Sequence, residues 1–154
     1  MSPTGETPPC GRILVVDDQE NMCWVLSRLL SERGHEVRTA QRGVRALEAL
    51  ADFDCQVAVV DYRLPDSNGI ALLIEMTARR PRLLPILMTS YGSDALRQRV
   101  VKARLFAYLD KPFRNDLMIE TVEAGVRAWE AGAGAAPARA TSQTLFPGRT
   151  PTSA

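Results

Sequence analysis

The sequence predicts an α/β fold in which helices cover a parallel β-sheet. Five short apolar runs, several of them rich in β-branched residues, alternate with five segments whose apolar residues recur at helical spacing. Short β-branched runs are typical of strands buried on both faces. Strands that alternate with helices indicate parallel pairing, so we expect five strands and five helices in one domain.

The first two elements are a strand at residues 13–16 and a helix at residues 20–33. The strand, Ile-Leu-Val-Val, is apolar throughout. In the helix, apolar residues recur three or four positions apart, which places five of them on one face: Met22, Val25, Leu26, Leu29 and Leu30. Gly34 follows as a C-terminal stop signal.

The remaining elements continue the alternation. The pattern predicts strands at 36–39, 56–60, 86–88 and 106–109, and helices at 44–50, 70–79, 94–103 and 115–130. The loop at residues 64–69, Leu-Pro-Asp-Ser-Asn-Gly, is rich in turn-forming residues. Ser93 can cap the fourth helix, and Asn115 or Asp116 begins the last one.

Length and composition fit one domain with an extension at each end. The 154 residues are 45% hydrophobic and 24% charged, which is ordinary for a soluble globular protein. We expect a flexible N-terminus at residues 1–11 and the domain at residues 12–130. The Ala, Gly, Pro, Thr and Ser content of residues 131–154 predicts a low-complexity, disordered tail.

Charge and hydropathy argue against several classes of protein. A net charge of +1 gives no reason to expect direct binding to nucleic acid or to a membrane surface. No apolar run approaches the ~18 residues needed to span a bilayer, and the N-terminus lacks the pattern of a signal peptide. The cysteines, Cys10, Cys23 and Cys55, have no metal-ligand spacing, which fits a reducing cytoplasm.

Charged residues stand at the ends of three predicted strands. Asp17 and Asp18 follow the first strand, Asp61 follows the third, and Lys111 follows the fifth. In an open α/β sheet, ligands bind beyond the carboxyl ends of the strands, so these side chains should meet in one crevice. Crowded carboxylates repel each other, and a hard divalent cation such as Mg²⁺ relieves the repulsion. A lysine beside them supplies a point charge suited to phosphate.

Each of these residues has a structural interpretation when it is taken alone. An Asp after a strand often caps the next helix, and Lys-Pro often marks a turn. The set is harder to explain structurally, because three separate strand ends each contribute a charge that suits phosphate and metal chemistry. The sequence therefore favours a functional crevice.

Four segments also resemble the signature of a known family, in the same order: residues 15–18 (Val-Val-Asp-Asp), 61–69 (Asp-Tyr-Arg-Leu-Pro-Asp-Ser-Asn-Gly), 87–90 (Leu-Met-Thr-Ser) and 108–113 (Tyr-Leu-Asp-Lys-Pro-Phe). Residues 12–130 thereby resemble the receiver domain of two-component response regulators. Residues 24–26 and 89–93 are most similar to receivers of nitrogen-regulation-type activators. The resemblance implies a doubly wound, flavodoxin-like sheet with strand order 2-1-3-4-5.

The resemblance also implies roles for the acidic residues. Asp61 would accept a phosphoryl group from a phosphohistidine of a sensor histidine kinase or a histidine phosphotransfer protein, forming an aspartyl phosphate. Asp17 and Asp18 would hold Mg²⁺ together with Asp61 and the backbone carbonyl of Arg63. The only expected cofactor is therefore Mg²⁺.

Three further residues receive roles from the same resemblance. Lys111 would pair with the phosphoryl group, and its peptide bond to Pro112 would be cis. Thr89 would bond a phosphoryl oxygen through its hydroxyl. Tyr108 would be the switch residue that turns inward when Thr89 moves, although a half-buried structural tyrosine is an equally good interpretation of that position by itself.

Two positions depart from the family pattern. Arg104 and Leu105 stand where receivers usually carry Gly-Ala. If residue 104 adopts a left-handed backbone, arginine there costs roughly 1 kcal/mol. Gln19 occupies a position that is often acidic. The departure at Arg104 bears on the partner surface more than on the crevice.

Several functions remain compatible with the sequence. We favour a stand-alone receiver that is not a turnover enzyme and signals to an unknown output protein by protein contact, with a possible homodimer on phosphorylation. The same receiver can instead be a fragment of a larger transcription factor. A phosphatase with an Asp nucleophile is a weaker alternative, because such enzymes carry a second Asp where this chain has Arg63. A nucleotide-binding protein is weaker still, because no Walker loop is present.

Overall fold

The computed structural model describes residues 10–132. The predicted flexible N-terminus (1–11) and low-complexity tail (131–154) lie almost wholly outside the described residues. Among the helices that are described, none has the length and apolar character that crossing a bilayer demands.

Within residues 10–132 the chain alternates strictly between five strands and five helices. In chain order these elements are β1 (Arg12–Val16), α1 (Glu20–Ser31), β2 (Glu36–Ala40), α2 (Gly43–Asp52), β3 (Val57–Asp61), α3 (Gly69–Arg79), β4 (Leu84–Thr89), α4 (Asp94–Lys102), β5 (Ala107–Asp110) and α5 (Asn115–Glu130).

The sheet has the predicted topology. Its strands pair in parallel in the order β2-β1-β3-β4-β5. One apolar core lies between one sheet face and helices α2, α3 and α4, and a second lies between the other face and helices α1 and α5. Along β1, Leu14 and Val16 face the first core, whereas Ile13 and Val15 face the second. The strands are apolar throughout because both faces are buried.

Helix α1 differs from its prediction in two details. Val25 was expected on the buried face, but it is 41% exposed, so that assignment is wrong. The buried side chains are Cys23, Leu26 and Leu30. Val25 lies about 100° around the helix from Leu26, on the side away from Cys23. The helix also ends at Ser31, two residues earlier than expected. Gly34 follows with a φ of 96°, a conformation that glycine adopts readily.

Strand β4 is longer than its sequence pattern indicates. The strand begins at Leu84 and includes Pro85, a residue that lacks a backbone N–H and is normally confined to sheet edges. The carbonyl of Pro85 still accepts a hydrogen bond from the N–H of Phe106. Strands β3 and β5 each end one residue later than predicted, so Asp61 and Asp110 are their last residues.

The turn after α4 has the left-handed residue that the sequence comparison with the family suggested. Arg104 has a φ of 60°. A non-glycine residue in this conformation costs roughly 1 kcal/mol. Two backbone hydrogen bonds hold the turn, from Arg104 N–H to Val101 and from Leu105 N–H to Val100, and the buried side chain of Leu105 anchors it in the core.

Candidate functional site

The carboxyl ends of β1, β3 and β5 bring three charged side chains into direct contact. The ammonium group of Lys111 lies 2.8 Å from Oδ2 of Asp17 and 2.9 Å from Oδ1 of Asp61. Asp17 and Lys111 are 94 residues apart in sequence. They meet because parallel strands end at the same edge of the sheet. The peptide bond between Lys111 and Pro112 is cis, as expected.

A third carboxylate completes an acidic cluster. Asp17, Asp18 and Asp61 offer oxygens that all lie within 4.8 Å of one another. Asp17 is buried, whereas Asp18 is exposed. One lysine leaves these carboxylates with a net negative charge. Their all-oxygen donor set and negative charge fit a hard divalent cation, so this cluster can bind a metal ion.

The two partners of the central ion pair have shifted pKa values. Burial raises the pKa of Asp61 above its usual value, and repulsion from Asp17 adds to this, against the opposing hydrogen bond from Lys111. Burial also disfavours the charged form of Lys111, but the hydrogen bonds to Asp17 and Asp61 outweigh it and raise the lysine pKa. Lys111 therefore keeps its positive charge in a largely buried position.

The loop after Asp61 is held by its own polar residues. The backbone N–H of Arg63 donates to Oδ2 of Asp61 at 3.2 Å. The carboxylate of Asp66 accepts the N–H groups of Gly43 and Val44, so it caps α2 from across the structure. These hydrogen bonds lower the pKa of Asp66. The proposed role of the Arg63 carbonyl as a metal ligand stays a prediction.

Gly69 provides the space that the loop needs next to the site. A Cβ on Gly69 would overlap the Asp61 carbonyl and the Leu87 side chain. The N–H of Gly69 donates to the carbonyl of Tyr62 at 2.7 Å. The chain therefore passes directly behind Asp61 only because residue 69 has no side chain.

Thr89 stands at the end of β4, beside the cluster. It is fully buried, and its hydroxyl accepts a hydrogen bond from Tyr91 N–H at 2.9 Å. Its carbonyl accepts from the N–H of Lys111, which ties the ends of β4 and β5 together. The proposed contact between Thr89 and a phosphoryl oxygen stays a prediction.

Tyr108 is fully buried, and the partly exposed strand tyrosine that the sequence left open as an alternative is not observed. Its hydroxyl donates to Oδ1 of Asp110 at 2.8 Å. Burial, together with this hydrogen bond, raises the pKa of Tyr108 to about 12. The structure thus holds the ring inward, whereas its role as a switch stays a prediction.

Two exposed side chains meet near the rim of the crevice. The guanidinium carbon of Arg63 lies 4.0 Å from the centre of the Tyr91 ring, in a cation–π contact. Arg63 lies two residues after Asp61, and Tyr91 lies two residues after Thr89. The contact joins the loops that follow β3 and β4.

Sequence reasoning did not predict two contacts close to the site. Asp110 binds Tyr108, and Arg97 of α4 approaches Asp110 to 3.9 Å. The available signal was the spacing of Tyr108 and Asp110, because residues two apart on a strand share a face. No local pattern indicated the contact of Arg97 with Asp110, because the two residues lie in different elements.

Solved structures share this fold. The response regulator receiver domain protein (CheY-like) from Methanospirillum hungatei JF-1 superposes with a TM-score of 0.76 and 27% sequence identity, over 80% of this chain and 99% of that one. The beryllofluoride-activated NtrC4 receiver domain dimer superposes with a TM-score of 0.72 and 27% identity, over 77% of this chain and 98% of that one. Fold and strand-end carboxylates together define a receiver-type domain.

The model of the response regulator receiver domain matches residues 13–123, and the chain belongs to this family of two-component response regulators. The DNA-binding transcriptional regulator NtrC of Escherichia coli (strain K12) is 34% identical over 78% of this chain. The regulatory protein AtoC of the same strain is 36% identical over 68%. The likeness to nitrogen-regulation-type receivers is confirmed.

The chain is much shorter than these relatives. It spans 26% of the length of NtrC and 23% of AtoC. The transcriptional regulatory protein ZraR of Escherichia coli (strain K12) is 32% identical over 90% of this chain, which spans 32% of ZraR. The similarity therefore concerns the receiver region of larger transcriptional regulators.

Proposed function

We propose that Asp61 accepts a phosphoryl group from a phosphohistidine of a sensor histidine kinase or a histidine phosphotransfer protein. The observation that carries the proposal is the pairing of Asp61 with Lys111 at 2.9 Å inside an acidic cluster. A nucleophile at this point has a fixed positive charge beside it, where the phosphoryl oxygens would arrive.

The geometry favours Asp61 over its acidic neighbours as the acceptor. The Asp17 side chain is fully buried, so an incoming phosphoryl group could not reach its oxygens, whereas the Asp61 side chain is 11% exposed. Asp18 is exposed and makes no ion pair with Lys111 within the described residues. Asp61 keeps a partly accessible side chain next to the lysine, which an acceptor requires.

In the proposed transfer, a carboxylate oxygen of Asp61 attacks phosphorus, and the bond between phosphorus and the histidine nitrogen breaks. The electron pair of that bond leaves with the imidazole. Lys111 would pair with an equatorial phosphoryl oxygen, and the Thr89 hydroxyl would donate to another. Because charge spreads over these oxygens in a loose transition state, positioning and electrostatic stabilisation account for most of the catalysis.

We propose Mg²⁺ as the cation of the acidic cluster. Asp17, Asp18 and Asp61 would hold it, together with the Arg63 carbonyl. When bound, Mg²⁺ would neutralise part of the phosphoryl charge. The net negative charge of the carboxylates supports this assignment, since Lys111 alone does not balance them.

Signalling would then occur by contact with an output protein whose identity is unknown, and the chain would not be a turnover enzyme. We expect the largest change in amide exchange on phosphorylation at the face made by α4, β5 and α5, which includes Arg97, Lys102, Tyr108 and Arg114. Pairing of two copies on phosphorylation is part of the proposal, since the NtrC4 receiver is described as a dimer. We place the phosphoryl transfer in the cytoplasm, where a reducing environment suits the free cysteines of this chain.

A second candidate is that the chain is the receiver region of a larger transcription factor. The observation that favours it is the length of its relatives, of which it spans between 23% and 32%. The full reading frame would decide between this organisation and a stand-alone receiver. Phosphoryl acceptance by Asp61 is common to both.

The test is phosphorylation of the full chain by acetyl phosphate or by a phosphorylated kinase. We expect label on the parent protein only when Mg²⁺ is present, and none on Asp61→Asn. Asp52→Asn is the matched control, since it removes an exposed carboxylate on α2 and should be labelled as the parent is. Label that persists in Asp61→Asn would contradict the proposal.

A further inference from the structure

The Tyr108 side chain is hydrogen-bonded to another side chain of the same strand, that of Asp110. Tyr108 and Asp110 lie two residues apart on β5, so their side chains share a face, while Leu109 between them faces the other core. The Tyr108 hydroxyl donates to Oδ1 of Asp110 at 2.8 Å. No movement of another element is needed to form this hydrogen bond.

The loop between β4 and α4 closes over this hydrogen bond. A Cβ on Gly92 would overlap both the Tyr108 hydroxyl and Oδ1 of Asp110. The backbone of Gly92 therefore lies against both atoms of the bond, and only glycine leaves room for them. Because Gly92 follows Thr89 by three residues, the loop that leaves the site and the Tyr108–Asp110 pair constrain each other.

Arg97 extends the contact into α4. Its Nη2 lies 3.9 Å from Oδ2 of Asp110, and its guanidinium carbon lies 5.8 Å from the centre of the Tyr108 ring. Its Nη1 also donates to Asp94, one turn earlier in the same helix. Among residues 10–132, no hydrogen-bond partner is found for the buried Nε of Arg97, so the side chain is held there through Nη1 and Nη2.

Helix α4 depends on such polar contacts more than its neighbour α3 does. It buries two apolar side chains, Leu96 and Val100, whereas α3 buries four. A helix with so little buried apolar surface opens locally at low free-energy cost. The contact of Arg97 with Asp110 should therefore contribute measurably to how tightly the first half of α4 is held.

We propose that Asp110 is a positioning residue that holds Tyr108 in its buried orientation and, through Arg97, ties α4 to the end of β5. Asp110 acts on the shape of the surface formed by α4 and β5, through Tyr108 and Arg97. The inference rests on contacts around β5 and not on the identity of the phosphoacceptor. Either proposal can therefore fail without the other.

The test measures the exposure of Tyr108 in unphosphorylated protein. The chain contains three tyrosines, so fluorotyrosine labelling gives three fluorine NMR signals, which Tyr62→Phe and Tyr91→Phe assign. In Asp110→Ala we expect the accessibility of the Tyr108 signal to a soluble paramagnetic agent to rise about tenfold, because the buried hydroxyl loses its charged acceptor. The signal should stay shielded in Asp61→Asn.

Two further variants separate positioning from general loosening. Asp110→Asn keeps an acceptor oxygen and should keep Tyr108 shielded. Gly92→Ala leaves Asp110 in place but fills the space of the hydrogen bond, so Tyr108 should become exposed as in Asp110→Ala. Asp116→Ala is the matched control, since it removes an exposed carboxylate that also pairs with an arginine.

Amide exchange tests the link to α4. We expect Arg97→Met to speed exchange in the first half of α4 several-fold, as Asp110→Ala does, while Tyr108 stays shielded. The proposal is wrong if Tyr108 remains as shielded in Asp110→Ala as in the parent. It is also wrong if Tyr108 becomes exposed in Gly92→Ala but stays shielded in Asp110→Ala, because the loop and not Asp110 would then hold the ring.

Discussion

At the amino ends of the strands, the buried carboxylate of Glu123 is matched by the donors around it, whereas at the carboxyl ends Lys111 pairs with two of three clustered carboxylates. Both clusters are built from residues far apart in sequence, and each contains a buried carboxylate, Glu123 in one and Asp17 in the other. Their charge balance differs, and so does what each can still bind.

In the amino-end cluster, which we call the closed cluster, Arg33 and His35 match the charge and hydrogen-bonding capacity of Glu123. Arg33 donates to both oxygens of Glu123, at 2.9 and 3.0 Å. Nε2 of His35 lies 3.1 Å from Glu123, and Nδ1 of the same ring accepts the N–H of Gly11 at 2.8 Å. Since Nδ1 accepts, Nε2 carries the proton and donates to the carboxylate. Burial raises the pKa of Glu123, but the hydrogen bonds from Arg33 and His35 prevail and lower it.

The carboxyl-end cluster has an unbalanced negative charge, and we call it the open cluster. Asp17, Asp18 and Asp61 carry more negative charge than Lys111 neutralises, and the pKa of Asp61 is raised. A cation or the positive end of a ligand therefore gains by entering. The two clusters differ in charge balance: the balanced one needs no further partner, whereas the unbalanced one can still bind a cation.

The largest effect is expected when Lys111, the lysine that pairs with Asp17 and Asp61, is replaced. In Lys111→Met, phosphorylation of Asp61 should slow about 100-fold, because the transition-state charge loses a fixed partner. Phosphorylation kinetics with acetyl phosphate measure this. Lys102→Met removes the only other lysine, at an exposed position, and should react like the parent. A Lys111→Met rate within twofold of the parent would remove Lys111 from the mechanism.

Neutralising the closed cluster should change stability and leave phosphorylation unchanged. Glu123→Gln should lower the free energy of unfolding by roughly 2 kcal/mol at neutral pH, because Arg33 and His35 lose a charged acceptor. Urea unfolding measures the difference, with the exposed Glu120→Gln on the same helix as control. Slower phosphorylation of a folded Glu123→Gln would show that the two ends are not separate.

The same variant has a defined pH dependence. The pKa of Glu123 is lower in the folded protein than in the unfolded chain. Its contribution is thus fully present above the unfolded value of about 4.3 and disappears as the pH falls through the folded value. The stability difference between the parent and Glu123→Gln should therefore shrink below about pH 4. A difference that stays constant in that range would contradict the assignment.

Magnesium should stabilise the open cluster. At a concentration ten times its dissociation constant, Mg²⁺ should raise the free energy of unfolding of the parent by about 1.4 kcal/mol. Asp18→Asn should lose most of this gain, because Asp18 is exposed and its replacement disturbs no buried contact. Asp94→Asn, which changes an exposed carboxylate on α4, should keep the gain. Equal stabilisation of all three proteins would place the cation elsewhere.

The smallest expected effect concerns the rim of the open cluster. Arg63 and Tyr91 follow Asp61 and Thr89 by two residues, and the structure shows them in a cation–π contact. We expect this pair to hinder the approach of water to a phosphorylated Asp61. We expect both single alanine variants and the double variant to lose phosphate about threefold faster, in keeping with the strength of an exposed cation–π contact. Loss of label over time measures this.

A second arginine–aromatic pair provides the control for that experiment. Arg28 lies over Trp24 on α1, so Arg28→Ala removes a similar contact away from the rim. Arg28→Ala should keep the parent lifetime. Equal lifetimes in all the variants and the parent would mean that Arg63 and Tyr91 point to solvent during hydrolysis.

Much of the open cluster could be predicted before the structure, for a simple reason. Asp17, Asp61 and Lys111 each end an apolar run, and parallel strands expose their carboxyl ends at one edge. Local signals also identified the cap at Ser93, which accepts from Leu96 N–H, and raised the question of a left-handed residue at position 104. These features depend on short segments, so they can be predicted without knowing the tertiary contacts.

Other contacts could not be predicted, because they join residues that no local sequence pattern connects. Glu123 and Arg33 are 90 residues apart, and a buried Glu on α5 looks in sequence like any polar helix position. Asp66 resembles an ordinary turn residue until α2 is placed beside it.

Sequence by itself determined the alternation of strands and helices, the sheet's buried character and the meeting of charges at its carboxyl edge, because periodicity and strand direction depend on short-range geometry. Tertiary packing decided that Tyr108 is held inward by Asp110 against Gly92, that Val25 faces solvent, and how each buried charge is balanced. Burial and electrostatic balance are sums over all neighbours, and those neighbours are known only when the chain is folded.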